Sequence, residues 1–153
     1  MEIRRAARDD GPAIAEIHRI SRRRSMPWLP VLHTPESVAR YLTNVVLATE
    51  TVWVACDGPR PVGYASVADD WLNHLYVHPD RWGRGAGHAL LTEAMSSADR
   101  LQLWAFQRNA RARRFYAARG FEEVELTDGR NNEERTPDVR MEWVRAAGQT
   151  RRA

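Results

Sequence analysis

The most constraining feature of this sequence is a glycine-rich segment between a strand-like run and a helix-like pattern. The run Trp71–Val77 is predicted to be a strand, and a helix is predicted to start at about His88. Between them, Gly83, Gly85 and Gly87 remove side chains at alternate positions, so backbone N–H groups can converge at the helix start. Free N–H groups and the positive end of the helix dipole favour an anion there. The segment predicts a phosphate or pyrophosphate site, with a plain tight link as the alternative.

The glycine spacing and the basic residues exclude several phosphate sites. The dinucleotide fingerprint G-x-G-x-x-G needs a third glycine where this chain has His88 or Leu90. All 23 basic side chains are arginine, so the chain has no P-loop lysine and no lysine for a Schiff base with pyridoxal phosphate.

Composition bounds the class of protein. The 153 residues fit one domain, predicted over residues 1–145, with a disordered tail over 146–153. A single cysteine, Cys56, allows neither an internal disulfide nor a cysteine-rich zinc site, and no apolar run approaches the ~20 residues of a membrane span. Met1–Asp10 lacks the apolar core of a signal peptide. We expect a soluble, cytoplasmic protein that binds no metal, no membrane and, at a net charge of only +3, no nucleic acid.

The apolar periodicity predicts a mixed α/β domain. Two helices come first: one is capped by Asp9 or Asp10 and buries Ile14, and the other starts at Thr34-Pro35-Glu36. A three-stranded antiparallel meander follows, and strand–helix–strand units complete the domain. The helix Ala110–Arg119 is capped by Asn109 and stopped by Gly120. The predicted strands are Glu2–Ala6, Thr51–Cys56, Pro61–Ala68, Trp71–Val77, Leu101–Phe106, Phe121–Leu126 and Val139–Val144.

Two motifs in this order resemble those of the GNAT superfamily of acyl-CoA-dependent N-acetyltransferases. Leu75-Tyr76-Val77-His78-Pro79 followed by Gly83-Arg84-Gly85-Ala86-Gly87 resembles motif A of that family. Leu103-Trp104, Asn109, Ala112–Tyr116 and Gly120-Phe121 resemble motif B. The resemblance covers nearly the whole chain. It implies a GNAT-type fold, in which a mostly antiparallel, twisted sheet of about six to seven strands splays between two strands, flanked by about four helices.

The resemblance also implies acetyl-CoA as co-substrate and a direct attack by a primary amine within a ternary complex. Tyr116 would be the general acid for the leaving thiolate, and Asn109 would contact the pantetheine. Arg114 belongs to a basic helix face, Arg111, Arg113 and Arg114, for which solvated charge is the alternative to a contact with the 3′-phosphate. The acetyl-CoA site would comprise Leu75, Tyr76, Val77, Trp82, Gly83, Arg84, Gly85, Ala86, Gly87, His88, Asn109, Arg114 and Tyr116.

Trp82 departs from the family pattern, which usually has glutamine or arginine at this position. Tryptophan cannot copy their hydrogen bonds to the pyrophosphate. We expect binding to survive through the backbone amides, with Arg81 or Arg84 supplying charge.

The general base and the acceptor are the least defined features. With a period of two, side chains 71, 73, 75 and 77 share one face of the strand, and His74 points to the other. Neither Trp71 nor Asn73 is a base, so a water positioned by Asn73 or Asp70 is predicted to take the proton. Asp69 and Asp70 would attract a cationic amine, although a solvated turn explains them equally well. Trp28 and Trp71 are the candidate walls of the acceptor site, and the polar loop Thr127–Asp138 would fold over it.

The acceptor itself stays open between a small molecule and a peptide amine. A homodimer through the closing strands is consistent with the resemblance. Two other functions compete: a catalytically inactive acyl-CoA-binding sensor on the same fold, and a nucleic-acid-binding module that uses the arginine clusters. The second is disfavoured because the arginine clusters are separated and lie beside acidic residues.

Overall fold

The computed structural model describes residues 1–152 as a seven-stranded sheet in the order β1-β2-β3-β4-β5-β7-β6, with helices on both faces. The strands are β1 Glu2–Arg5, β2 Thr51–Asp57, β3 Arg60–Ala68, β4 Trp71–Val77, β5 Arg100–Phe106, β6 Glu122–Leu126 and β7 Asp138–Val144. The helices are α1 Gly11–Ser25, α2 Pro35–Tyr41, α3 Ala86–Ser96 and α4 Ala110–Ala117. A π-helical turn, Leu42–Val46, and a short turn, Leu47–Thr49, prolong α2. The predicted fold is confirmed.

The sheet consists of two antiparallel halves that meet at one parallel contact. All neighbouring strands pair antiparallel except β4 and β5, which are parallel and share a single register pair, Trp71 with Gln102. Beyond that pair the two strands separate toward Val77 and Phe106. The predicted splay is therefore present, and it opens a cleft between the carboxyl ends of β4 and β5.

Two apolar cores lie on opposite faces of the sheet. On one face, Leu90 and Leu91 of α3 pack with Leu101 and Met141. On the other, Ile14 and Ile17 of α1 pack with fully buried Tyr64 of β3. These cores hold α1 and α3 against β2, β3 and β4, so the elements around the cleft are anchored from both sides.

A β-bulge in β4 changes which of its side chains share a face of the sheet. His74 pairs with Ser66, but the adjacent Val67 pairs with Leu72, so Asn73 is an extra residue. Leu72 therefore joins Leu75 and Val77 on the α3 face. The prediction that residue 71 shares a face with 75 and 77 was wrong because the bulge interrupts the two-residue period.

Helix boundaries follow the predicted caps with some exceptions. The Thr34 side chain accepts the backbone N–H of Ser37 at 3.1 Å, as predicted for an N-cap. Asp10 precedes α1 but makes no such cap; its carboxylate accepts from the backbone N–H of Ala7 at 2.7 Å and from Arg4 at 2.8 and 2.9 Å. Helix α3 begins at Ala86 rather than at about His88.

The end of α4 also matches its prediction. Gly120 has φ +95°, and the backbone N–H of Phe121 donates to the carbonyl of Tyr116 at 3.1 Å, which is a Schellman-type ending. Phe121 folds back on Tyr116, with ring centroids 5.4 Å apart. Residues 146–152 form neither helix nor strand, although the backbone N–H of Arg152 donates to the carbonyl of Ser96 at 2.7 Å. Within residues 1–152, no helix is long and apolar enough to cross a membrane.

Candidate active site

A cleft of about 440 Å³ occupies the splay. Its walls are the carboxyl half of β4, the glycine-rich segment, one face of α4 and two serines of α1, Ser21 and Ser25. Of the predicted acetyl-CoA residues, Leu75, Tyr76, Val77, Trp82, Gly83, Gly85, Ala86, Gly87, His88, Asn109 and Tyr116 line this cleft. The structure thus brings together residues up to 41 positions apart in the sequence.

The glycine-rich segment forms an open cradle at one end of the cleft. Gly83 and Gly85 have φ values of +76° and +87°, a region that side chains other than glycine rarely adopt. A Cβ at either position would meet no atom within 4 Å, so both residues border empty space. The carbonyl of Gly85 accepts the N–H of Ala89 at 2.9 Å and starts α3, which leaves the first N–H groups of the helix without helical partners. This geometry fits an anion such as a pyrophosphate.

Trp82 and Arg111 form a stacked pair at the same end. The indole N–H of Trp82 donates to the carbonyl of Val77 at 2.7 Å, which holds the ring against the end of β4. The guanidinium carbon of Arg111 lies 4.0 Å from the ring centroid. The pair connects β4 to the first turn of α4.

Asn109 caps α4 as predicted. Its side-chain oxygen accepts the backbone N–H of Ala112 at 3.2 Å. Since Asn109 also lines the cleft, its amide N–H₂ group is the part that can contact a ligand.

Tyr116 lines the cleft from α4, and its ring lies between two other aromatic rings. Its ring makes edge-to-face contacts with Phe115 and Phe121 at centroid distances of 5.2 and 5.4 Å. Its hydroxyl has no hydrogen-bond partner in the described chain, yet it is not a buried unsatisfied group, so it reaches the cleft surface. Burial raises the pKa of Tyr116 above its ordinary value, with a further contribution from Tyr76. The phenol is therefore protonated at neutral pH and can donate a proton or a hydrogen bond.

The arginines at the cleft differ from those predicted. Neither Arg84 nor Arg114 is among the lining residues, whereas Arg81, Arg111 and Arg119 are. Arg111 and Phe115 are four residues apart and share one face of α4, and Arg119, two residues beyond the end of α4, donates to the carbonyl of Phe115 at 2.9 Å. Arg113 does not share that face: its guanidinium binds Glu123 at 2.6 and 2.8 Å. In the predicted helix Ala110–Arg119, the spacing of four residues from Phe115 was the available sequence signal for Arg119.

A second cavity of about 790 Å³ lies between α1, the segment joining it to α2, α2 itself and Glu134. Arg22 lines this cavity and donates to the hydroxyl of Tyr76 at 2.8 Å; Tyr76 lines the first cleft. The two spaces therefore meet at the Arg22–Tyr76 hydrogen bond. Glu134 approaches Arg22 at 3.9 Å, and Glu133 contacts His33, so the loop between β6 and β7 reaches this cavity.

The residues predicted for the acceptor and the base lie elsewhere. Trp28 packs edge-on against Phe106 at 6.1 Å under the guanidinium of Arg108 and lines neither space. Asp70 accepts from Arg100 at 3.1 Å and from Gln102 at 3.0 Å at the closed end of the splay. Asp69 lies beside it, in a separate depression.

Trp71 and Asn73 also belong to the closed half of β4. Trp71 forms the register pair with Gln102, and Asn73 donates to Glu50 at 3.0 Å. The structure does not bring Trp28, Trp71, Asp69, Asp70 or Asn73 to the cleft.

Two partly buried histidines lie where α1 packs on the sheet, His18 on α1 and His74 on β4. His18 is hydrogen-bonded to the hydroxyl of Tyr64 through Nδ1 at 2.7 Å, and His74 is bonded to the hydroxyl of Ser66 at 2.7 Å. Burial lowers the pKa of His18 to about 3 and that of His74 to about 4. Both imidazoles are neutral at pH 7, and His74 has the satisfied, partly buried role expected of it. Among residues 1–152, no group of three or more His, Cys, Asp or Glu side chains could hold a metal ion.

The chain is similar in sequence to known proteins. A family model described as an acetyltransferase (GNAT) domain matches residues 48–123, from just before β2 into β6. The peptidyl-lysine N-acetyltransferase YiaC of Escherichia coli is 28% identical over 142 residues, which are 92% of this chain and 95% of that protein.

Solved structures match over almost the full length. Apo-form YjaB from Escherichia coli has a TM-score of 0.75 at 24% identity, over 95% of this chain and 98% of that one. The PaiA N-acetyltransferase of Thermoplasma acidophilum, solved in complex with coenzyme A, has a TM-score of 0.74 at 19% identity, over 94% of this chain and 98% of that one. With its splayed sheet, glycine cradle and family match, the chain belongs to the GNAT family of N-acetyltransferases.

Proposed function

We propose that this protein transfers an acetyl group from acetyl-CoA to a primary amine by direct attack within a ternary complex. The observation that carries the proposal is one continuous cleft with an anion cradle at Gly83–Gly87 and a tyrosine hydroxyl without a protein partner. The PaiA relative, solved with coenzyme A, is a further support for the choice of cofactor.

The cleft suggests how acetyl-CoA is held. The pantetheine arm lies in the splay. The backbone of Leu75 and Val77 pairs with it like an added strand, because β5 diverges from β4 beyond the pair Trp71–Gln102. The pyrophosphate lies on the amides of Gly83–Gly87, with the amide group of Asn109 contacting the pantetheine. Trp82 and His88 border the same end of the cleft. The side chains of Arg84 and Arg114 are not among those that line the cleft, whereas the backbone N–H of Arg84 belongs to the Gly83–Gly87 segment.

The chemistry follows from this placement. The neutral amine attacks the thioester carbonyl, a C–N bond forms, and negative charge on the oxygen is stabilised by a backbone N–H of β4. The C–S bond then breaks, and the Tyr116 hydroxyl donates a proton to the departing thiolate. The extra proton of the amine passes to water, because neither Asn73 nor Asp70 reaches the cleft, and the Tyr116 phenolate takes a proton back from water.

The second cavity is the proposed entrance for the acceptor. It adjoins the cleft at Arg22 and Tyr76, and its walls are largely apolar, which suits an aliphatic stem. Three carboxylates, Glu16, Glu36 and Glu134, line it together with three guanidinium groups, Arg19, Arg22 and Arg23. Since the relative YiaC is named a peptidyl-lysine N-acetyltransferase, we propose the ε-amine of a peptidyl lysine as the acceptor.

Tyr116→Phe tests the proposal. Acetyl-CoA, a lysine-containing peptide and a thiol-release assay give the turnover, and calorimetry gives the CoA affinity. Turnover is expected to fall by about 10²–10⁴-fold while CoA binding is retained. Tyr41→Phe, in an exposed tyrosine outside both cavities, is the control and leaves both quantities unchanged.

Two results contradict the proposal in different ways. Unchanged turnover in Tyr116→Phe removes Tyr116 as the acid. CoA binding by the unmodified protein without thiol release for any amine in a panel supports the acyl-CoA sensor instead.

A further inference from the structure

Trp82 occupies the position at which the family pattern usually has a glutamine or an arginine, and Arg111 lies over its ring. The indole N–H is fully used by the carbonyl of Val77, at 2.7 Å, so Trp82 cannot itself donate to a phosphate. Its ring instead carries the guanidinium of Arg111 at 4.0 Å, and both residues line the cleft beside Gly83 and Gly85. A cation is thus brought to the anion cradle from α4.

We propose that Arg111 binds the pyrophosphate of CoA in this protein and that Trp82 is the residue that positions it. The inference rests on the proposed function, because it needs CoA in the cleft. It names the side chain that replaces the missing glutamine or arginine of the family pattern.

The other arginines of the cleft are already engaged. Arg81 donates through Nε to Asp57 at 3.0 Å. Arg119 donates through Nε to His88 at 3.1 Å and through Nη1 to the carbonyl of Phe115 at 2.9 Å. Arg111 makes no side-chain hydrogen bond within residues 1–152, and its guanidinium carbon lies over the Trp82 ring. A contact with the ring face uses none of the five guanidinium N–H donors as hydrogen bonds, so they are free for phosphate oxygens.

Stacking also restricts a long side chain before the ligand arrives. A guanidinium held over an aromatic ring loses less conformational freedom on binding than a freely rotating one. Loss of the ring is therefore expected to weaken binding even when the arginine is present. The effects of the two residues are coupled, since each acts through the other.

The chain contains a matched control for this pair. Arg108 lies over Trp28 at 5.1 Å, close to Arg111 in sequence, but neither residue lines the CoA cleft. Arg108→Ala removes an exposed arginine and an arginine–tryptophan stack without touching the cradle.

Calorimetric titration with CoA and with 3′-dephospho-CoA tests the inference, together with turnover on acetyl-pantetheine. Arg111→Ala is expected to weaken CoA and 3′-dephospho-CoA equally, by about tenfold, the size of one hydrogen bond to a charged group. Its kcat/KM for acetyl-pantetheine, which lacks the pyrophosphate, stays that of the unmodified protein. Trp82→Ala is expected to lower CoA affinity by the same factor, and the double variant is expected to bind CoA little more weakly than Arg111→Ala alone. Trp82→Phe retains most of the CoA affinity. Arg108→Ala leaves CoA affinity unchanged.

Several results overturn the inference. Arg111→Ala binding CoA with unmodified affinity excludes the contact. A loss for CoA that disappears with 3′-dephospho-CoA assigns Arg111 to the 3′-phosphate, and an equal loss for acetyl-pantetheine indicates general damage to the cleft. Absence of CoA binding by the unmodified protein defeats the proposed function as well, whereas CoA binding that is indifferent to Arg111 defeats this inference alone.

Discussion

Gly85→Ala separates the conformational role of the cradle from its binding role. Gly85 has φ +87°, and a Cβ there meets no atom within 4 Å, so the folded protein suffers backbone strain without a clash. A left-handed conformation costs an ordinary residue roughly 1–2 kcal/mol. For a chain of this size each kcal/mol lowers Tm by about 2–4 °C.

Gly58→Ala is the matched control. Gly58 has φ +60° in the turn between β2 and β3, also with no atom within 4 Å of an added Cβ, and it lies outside the cleft. Both variants are expected to lose similar stability in urea denaturation. Only the Gly85 variant should lose CoA affinity, because its methyl group stands in the cradle and keeps a phosphate from the backbone N–H groups.

The expected binding loss is large enough to measure. A hydrogen bond to a charged group contributes about 1.5–3 kcal/mol, so losing one weakens CoA binding by about tenfold or more. Calorimetry on both variants, at a temperature where both are folded, gives the comparison. Equal CoA affinity for the Gly85 and Gly58 variants would refute the assignment of Gly83–Gly87 as the phosphate cradle.

Three further changes test the core, the buried histidine and the acceptor cavity. Leu90→Ala, in a fully buried side chain, is expected to cost about 2–5 kcal/mol in urea denaturation, and a cost under 1 kcal/mol contradicts the packing. The pKa of His74 is about 4 in the folded chain against an ordinary 6.5, so the unfolded chain binds more protons between these values and stability falls as pH drops from 7 to 4. His74→Gln is expected to flatten that part of the pH profile; an unchanged slope contradicts it. Glu134→Gln is expected to raise KM for a lysine peptide without changing KM for acetyl-CoA, whereas Glu122→Gln, in an exposed residue of β6 outside the cavity lining, leaves both unchanged.

Local patterns were sufficient to predict most of the secondary structure. The observed bounds of β4, Trp71–Val77, are those predicted, with His78-Pro79 ending the strand, and the caps at Thr34, Asn109 and Gly120 act as predicted. Each of these features depends on residues close together in the chain.

Features that depend on pairing between distant segments were not predictable in this way. The bulge at Asn73 arises from the register of β4 against β3, and it moves Leu72 to the α3 face. The hydrogen bond of Arg22 to Tyr76 joins residues 54 positions apart.

The candidate site likewise contains residues that local motifs predicted and residues that contacts between distant segments place. The glycine cradle and Tyr116 belong to local motifs, and both lie in the cleft. Asp70 was predicted from its place just before β4 and Trp28 from its place in the loop between the first two helices, and tertiary contacts with Arg100 and Phe106 hold them away from the cleft. In the predicted helix Ala110–Arg119, the helical period places Arg119, and not Arg114, on the same face as Phe115, since Arg119 follows Phe115 by four residues.

Acetyl transfer by the unmodified protein is the most direct test of the central claim. The protein is incubated with acetyl-CoA and a lysine-containing peptide, and free thiol and peptide mass are followed together, with Gly85→Glu as the cradle-blocked control. The account predicts one acetyl group gained by the peptide for each thiol released, with both lost in the Gly85 variant. Failure of acetyl-CoA to bind or to stabilise the unmodified protein, or thiol release no faster than without the peptide, would contradict it.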